Sequence, residues 1–134
     1  IAPSNPYVSI APILRVPAIR RWFTRRSVPV IAVSPIVGGA AIKGPAAKMM
    51  RELRAEASVL GVARHYHGIV DAWVIDRADA AAANDIEARG HPVLVTDTIM
   101  SDRAKSERLA EEVVRFARSL ARQHPLARRK RVRG

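Results

Sequence analysis

The sequence has no cysteine, so it can form neither disulfides nor thiolate metal sites, which fits a reducing, cytoplasmic setting. Aromatic residues make up only 4% of it, too few for the stacking platforms on which single-stranded nucleic acid is held. Long apolar runs are also lacking. The best, residues 30–42, is broken by Pro35, Gly38 and Gly39, and nothing else approaches the length a bilayer demands, so no membrane partner is expected. No basic-then-apolar leader opens the chain. It begins Ile1-Ala2-Pro3-Ser4 and reads as a chain entered partway through, with Ile1 at the end of a strand.

Acidic residues are scarce at both ends. Residues 1–54 carry nine Lys or Arg and a single acid, Glu52, whereas residues 55–121 carry eight against eleven acids. The last thirteen residues add six basic side chains and no acid, giving a net charge of +11 over 134 residues. A basic first third can attract phosphates, or can simply be a solvated helix face. The charge is split between a helix and a tail and no recognition motif accompanies it, so nucleic acid is not the expected partner.

About half of the residues are apolar, enough for a packed core. Short apolar runs alternate with helical patterns, the mark of an α/β fold. Ser9 is placed to cap a short helix with Pro12 in its first turn, and Pro17 to open a second helix with Arg20, Arg21, Arg25 and Arg26 outside and Ile19, Trp22 and Phe23 buried. Val30–Val33, Trp73–Ile75 and Val93–Val95 read as buried parallel strands. A loop with Gly38 and Gly39 follows the first. Pro45 starts a helix through Met49, Met50 and Leu53, and Ser58 caps another that ends by Gly68. Ala78–Arg89 reads as one helix closed by Gly90. Arg103–Arg122 reads as the last, capped by Ser101 or Asp102, with Leu109, Val113, Ala117 and Leu120 on its inner face. Beyond residue 121 the segment 122–134 is a basic tail expected to be disordered. The expected fold is α/β, a Rossmann-like open, mostly parallel sheet with covering helices, present as a partial domain spanning 1–121.

Several residues can carry chemistry. If Ile1 ends a strand, Ser4, Asn5 and Ser9 lie at the carboxyl edge of the sheet, where open α/β folds bind ligands. They can bond a nucleotide there, or only cap helices. Ser34, Gly38, Gly39 and Lys43 follow a strand and precede a helix; the glycines allow close backbone approach and Lys43 adds a point charge, but the spacing is neither a P-loop nor GxGxxG. Arg64 and His65, with Tyr66 beside them, can face a substrate phosphate or serve the helix dipole. His65 and His67 lie on different helix faces, so no shared metal site is expected. Asp76, Asp79 and Asp97 sit at strand ends, where carboxylates can hold Mg2+ through water but more often cap helices.

The runs SNPYVSIAPILRVPAIR, VIAVSPIVGGAAIKGPAAKMM, LGVARHYHGIVDAWVID and VLVTDTIM, in that order, resemble the CofD family of 2-phospho-L-lactate transferases. The resemblance covers Ile1 to about Ala121. It departs at Ala11 and Ala18, where glycine is expected, and in the basic tail. It implies an open Rossmann-like fold, often dimeric, and transfer of a phospholactyl or phosphoenolpyruvyl group from a guanosine diphosphate-linked donor to a hydroxyl of the deazaflavin Fo, with release of GMP, in coenzyme F-420 synthesis. On that resemblance Ser4, Asn5 and Ser9 line the nucleotide side and Ser34, Gly38, Gly39 and Lys43 lie near the cleft. The Mg2+ ion, the glycine-rich phosphate loop and much of the deazaflavin pocket belong to the family's N-terminal half, so the chain alone is expected to be inactive. The alternative is a non-enzymatic binder of nucleotides or nucleotide sugars, because related regulators share the fold.

Overall fold

The computed structural model describes residues 1–41 and 44–123. Lys43 and residues 124–134, most of the basic tail, lie outside them.

Three short strands form a parallel sheet in the order β1 (Ile31–Val33), β4 (Ala72–Asp76), β5 (Val93–Thr96). Ile31 pairs with Ala72, and Trp73 with Val93. On the far edge of β1, the Ile1 amine donates to the Ile31 carbonyl at 2.6 Å and the Ile1 carbonyl accepts from the Val33 amide at 3.1 Å. That spacing is a parallel bridge, so Ile1 runs alongside β1 as expected.

Side-chain alternation divides the sheet into two cores. Ala32, Trp73 and Ile75 face one side, where they meet Met50 of α3 (Ala46–Glu52), Val59 and Val62 of α4 (Val59–His65), and Ile86 of α5 (Ala83–Glu87). Ile31, Val33, Ala72 and Val74 face the other, where α6 (Arg103–Gln123) supplies Leu109, Val113, Phe116, Ala117 and Leu120. Every position of β4 is buried, as a parallel strand covered on both faces requires. The fold is thus a mixed α/β arrangement consistent with a partial Rossmann-like domain.

Four local expectations are corrected. The first helix begins with a π-helical turn, Pro6–Ile10, capped by Asn5 rather than Ser9. It continues as α1 (Ala11–Arg15). The second helix, α2 (Pro17–Arg25), buries none of its residues, and Trp22 is 51% exposed. Its apolar stripe is real but lies at the rim, where only Phe23 packs partly against the core. Gly38 and Gly39 are not in an open loop. They turn a hairpin between β2 (Ile36–Val37) and β3 (Ala40–Ala41), with φ of +57° and +77°, the left-handed pair that a two-residue hairpin favours. Finally, Arg77–Ala82 is 3-10 helix kinked at Asp79, and only Ala83–Glu87 is α-helical; the Asp79 carboxylate is held by another partner described below.

Gly61 in α4 shows how tightly the first core closes. A Cβ there would stand 1.8 Å from the Glu56 carbonyl oxygen and 3.0 Å from the Met50 methyl. Backbone cannot yield as a side-chain tip does, so Gly61→Ala is expected to lower stability by more than about 2 kcal/mol. Urea denaturation of the purified variant checks this; an unchanged midpoint would contradict the packing.

Candidate functional site

In a parallel sheet all strands point the same way, so residues that follow β1, β4 and β5 gather at one end. These include Ser34, Gly38, Gly39, Asp76, Asp79 and Thr98. Ser4 and Asn5 follow the Ile1 bridge and join them. The carboxyl edge therefore collects most of the candidate residues on a common side.

Their polar groups are largely committed to one another. Asn5 Oδ1 accepts from the Tyr7 amide at 2.9 Å and the Val8 amide at 3.3 Å, while its Nδ2 lies 3.3 Å from Met49 Sδ in α3. Ser34 is fully buried. Its hydroxyl accepts from the Ile36 amide and donates to the Ile36 carbonyl, so it shapes the strand exit. Ser9 lies within the π-helical turn, its amide bonded to the Asn5 carbonyl. Gly39 comes close to the chain after α3, with the Ala57 carbonyl 3.9 Å from a notional Cβ.

Two carboxylates organise this edge. Asp79 accepts from the Gly38 amide at 3.0 and 3.2 Å, tying the glycine turn after β1 to the segment after β4. Asp76 accepts from the Ala78 amide and from both the amide and hydroxyl of Thr98, at 2.8–3.0 Å. Burial raises its pKa, but these bonds and the nearby Arg77 outweigh burial and leave it below the usual carboxylate value. Asp76 caps the 3-10 turn as the sequence suggests, whereas Asp79, also read as a cap, lies inside that turn and holds Gly38 instead; the ties across strands are encoded by no spacing in sequence. Beyond β5, Arg108 of α6 donates to the Asp97 carbonyl at 2.6 Å and to Glu112 at 2.7 Å.

Arg64 and His65 are arranged differently. Arg64 forms an ion pair with Glu56. His65 lies between Tyr7, tilted at 57°, and Tyr66, edge-on at 76°, with ring centroids 4.7 and 5.1 Å away, and burial lowers its pKa. His65 also lines a cavity of about 1350 Å³ whose wall includes Val70, Asp71 and His91. Those residues precede β4 and β5, so the cavity is at the amino end of the sheet, away from the glycine turn. No group of three or more His, Asp or Glu suited to a metal converges among the described residues. Among the described residues Asp76 accepts from N–H and O–H donors and Asp79 from one N–H, and neither is joined by the further acidic or imidazole ligands that a Mg2+ site would draw on. No helix among the described residues is long and apolar enough to cross a membrane.

A covered parallel sheet with a glycine turn and helix starts gathered at its carboxyl edge is the layout of an open α/β domain, a class in which ligands commonly bind at that edge. The chain belongs to the CofD family, matching its description "2-phospho-L-lactate transferase CofD" over residues 1–116. It is 43% identical over 114 residues to the 2-phospho-L-lactate transferase of Methanosarcina acetivorans, covering 85% of this chain and 36% of that protein. It is 41% identical over 120 residues to that of Methanocaldococcus jannaschii, covering 90% and 37%. A phosphoenolpyruvate transferase of Streptomyces griseus is 39% identical over 116 residues, covering 86% and 36%. The chain thus spans little more than a third of the length of these relatives.

Two outcomes follow from the carboxylates. Asp79→Ala removes the acceptor of the Gly38 amide, and hydrogen exchange at Gly38 is expected to quicken by about tenfold, the equivalent of one hydrogen bond. Asp76→Asn is expected to cost about 1–3 kcal/mol near neutral pH, because it breaks a buried charged acceptor. A carboxylate with a depressed folded pKa stabilises above its unfolded pKa, and that contribution is lost as pH falls through the folded value. The gap between wild type and Asp76→Asn should therefore narrow on acidification below about pH 4. Thermal melts across pH measure it, and a gap independent of pH would contradict the assignment.

Proposed function

We propose that this chain serves a transferase that moves a phospholactyl or phosphoenolpyruvyl group from a guanosine diphosphate-linked donor to the deazaflavin Fo in coenzyme F-420 synthesis. The family match over residues 1–116 carries this reading, and the names of the relatives from Methanosarcina and Streptomyces support either three-carbon group. In the step itself a ribityl hydroxyl of Fo forms a bond to the phosphorus that bears the three-carbon acid. The bond from that phosphorus to the bridging diphosphate oxygen breaks, and GMP leaves with the electron pair. Such chemistry depends mainly on positioning and charge neutralisation.

On this reading the carboxyl edge is the nucleotide side. Ser4, Asn5 and Ser9 stand at its helix start, and the Gly38–Gly39 turn, with Ser34 behind it and Lys43 after it, brings backbone close to the phosphates. The Gly38 amide is held by Asp79 and would have to be released before it could serve a phosphate. Arg64 is paired with Glu56 and His65 faces the other end of the sheet, so both are weaker contributors. Magnesium would be held by residues beyond this chain, as would much of the Fo pocket. The working protein would be a cytoplasmic homodimer, and the 134 residues alone would bind nucleotide without turnover.

The test is calorimetry with GDP and with UDP-sugars, beside an assay for GMP release from donor and Fo. Saturable GDP binding, weaker UDP-sugar binding and no GMP release are the expected results. A preference for UDP-sugars would instead favour a non-enzymatic regulator, and turnover by the chain alone would overturn its proposed inactivity.

A further inference from the structure

The cavity at the amino end of the sheet is a second place where a ligand can be held, and its chemistry differs from that of the carboxyl edge. Arg15 of α1, Arg20 of α2, Arg26 just beyond α2, and Arg89 before β5 all line it, against one carboxylate, Asp71. That carboxylate is already spent: both its oxygens accept from Arg26 at 3.0 Å, and one also accepts from the Val30 amide at 2.7 Å. Arg15, Arg20 and Arg89 have no ion-pair partner among the described residues. Two buried donors of the lining residues, Arg26 Nε and the Tyr66 hydroxyl, also lack a hydrogen-bond partner among the described residues. Tyr66 itself is only 2% exposed.

Buried polar groups are normally satisfied, and like charges gathered around one concavity favour an anion that joins them. Planar guanidinium forks match phosphate oxygens two at a time. The volume of about 1350 Å³ is larger than an inorganic ion fills. We propose that the amino-end cavity is a binding site for a small molecule bearing two or more linked phosphates, separate from the nucleotide edge. The site needs no metal, because the guanidinium groups supply the positive charge. It does not depend on the proposed transferase function.

Calorimetric titration with inorganic triphosphate at fixed salt tests this. One saturable site is expected, and it should remain when GMP, which carries a single phosphate, is present in excess. The triple variant Arg15→Gln, Arg20→Gln, Arg89→Gln should bind triphosphate at least about tenfold more weakly, as loss of charge-assisted hydrogen bonds implies. The control Arg103→Gln, Arg115→Gln, Arg118→Gln removes the same charge from α6, on the opposite face of the sheet, and should change affinity by less than about threefold, a general screening effect. The substituted side chains are surface groups, and melting temperatures verify that both variants fold. Absence of saturable binding, equal losses in the two triple variants, or displacement of triphosphate by GMP would each overturn the proposal. If GMP fails to bind at all, the nucleotide edge is lost while the triphosphate result stands unaffected.

Discussion

Everything in this fold depends on covering β4. A parallel strand hydrogen-bonded along both edges has no solvent-facing side, so both of its faces must be sheathed. Trp73 and Ile75 require α3, α4 and α5 on one face, while Ala72 and Val74 require α6 on the other. Where the strand stops, its neighbours' backbone donors still need acceptors. The sequence meets that need twice with the same residue type. Asp71 precedes β4 and takes the Val30 amide; Asp76 ends it and takes the amides of Ala78 and Thr98.

Those aspartates solve one backbone problem but leave the two ends of the sheet electrostatically unlike. Asp76 is met by neutral donors, which hold it ionised and join the exits of β4 and β5. Asp71 is met by a guanidinium whose side chain is only 15% exposed. Breaking one member of such a partly buried pair strands the other charge. Arg26 also donates to the Ile69 carbonyl at 3.0 Å, so the end of α2 is fastened to the entrance of β4. This explains how a helix with no buried residue keeps its place.

The sequence made the strands and the last helix legible because their signals are local and periodic. Val30–Val33 and Trp73–Ile75 are β-branched or apolar runs, and Leu109, Val113, Ala117 and Leu120 repeat at helical spacing. What escaped was set by contacts across the chain. Ser9 has a capping side chain, but Asn5 reaches the free amides first. The stripe of α2 predicts burial, yet burial needs a neighbour that this helix lacks at Trp22. Nothing in residues 78–89 forbids one helix, yet the segment is kinked at Asp79, whose carboxylate accepts from an amide forty-one residues earlier. The hairpin was hidden for a related reason, since two-residue strands such as Ile36–Val37 are too short to show alternation.

The candidate site shares this division. That Ser4, Asn5, Ser34, Gly38 and Gly39 belong to one edge followed from strand direction alone. That Arg64 is neutralised by Glu56, and that His65 turns toward Tyr7 and the amino-end cavity, did not. A pair of adjacent basic residues at a helix end looks like a phosphate site in sequence, but an arginine already holding a carboxylate must give up that pair before it can take another anion. Arg15, Arg20 and Arg89, which have no ion-pair partner among the described residues, are elsewhere, on α1, α2 and the turn before β5; for the basic first third the sequence left phosphate attraction and a solvated face equally open. Charge becomes a site when folding places it around a shared cavity without an acid to answer it, and in this chain that condition is met at the end of the sheet opposite the glycine turn.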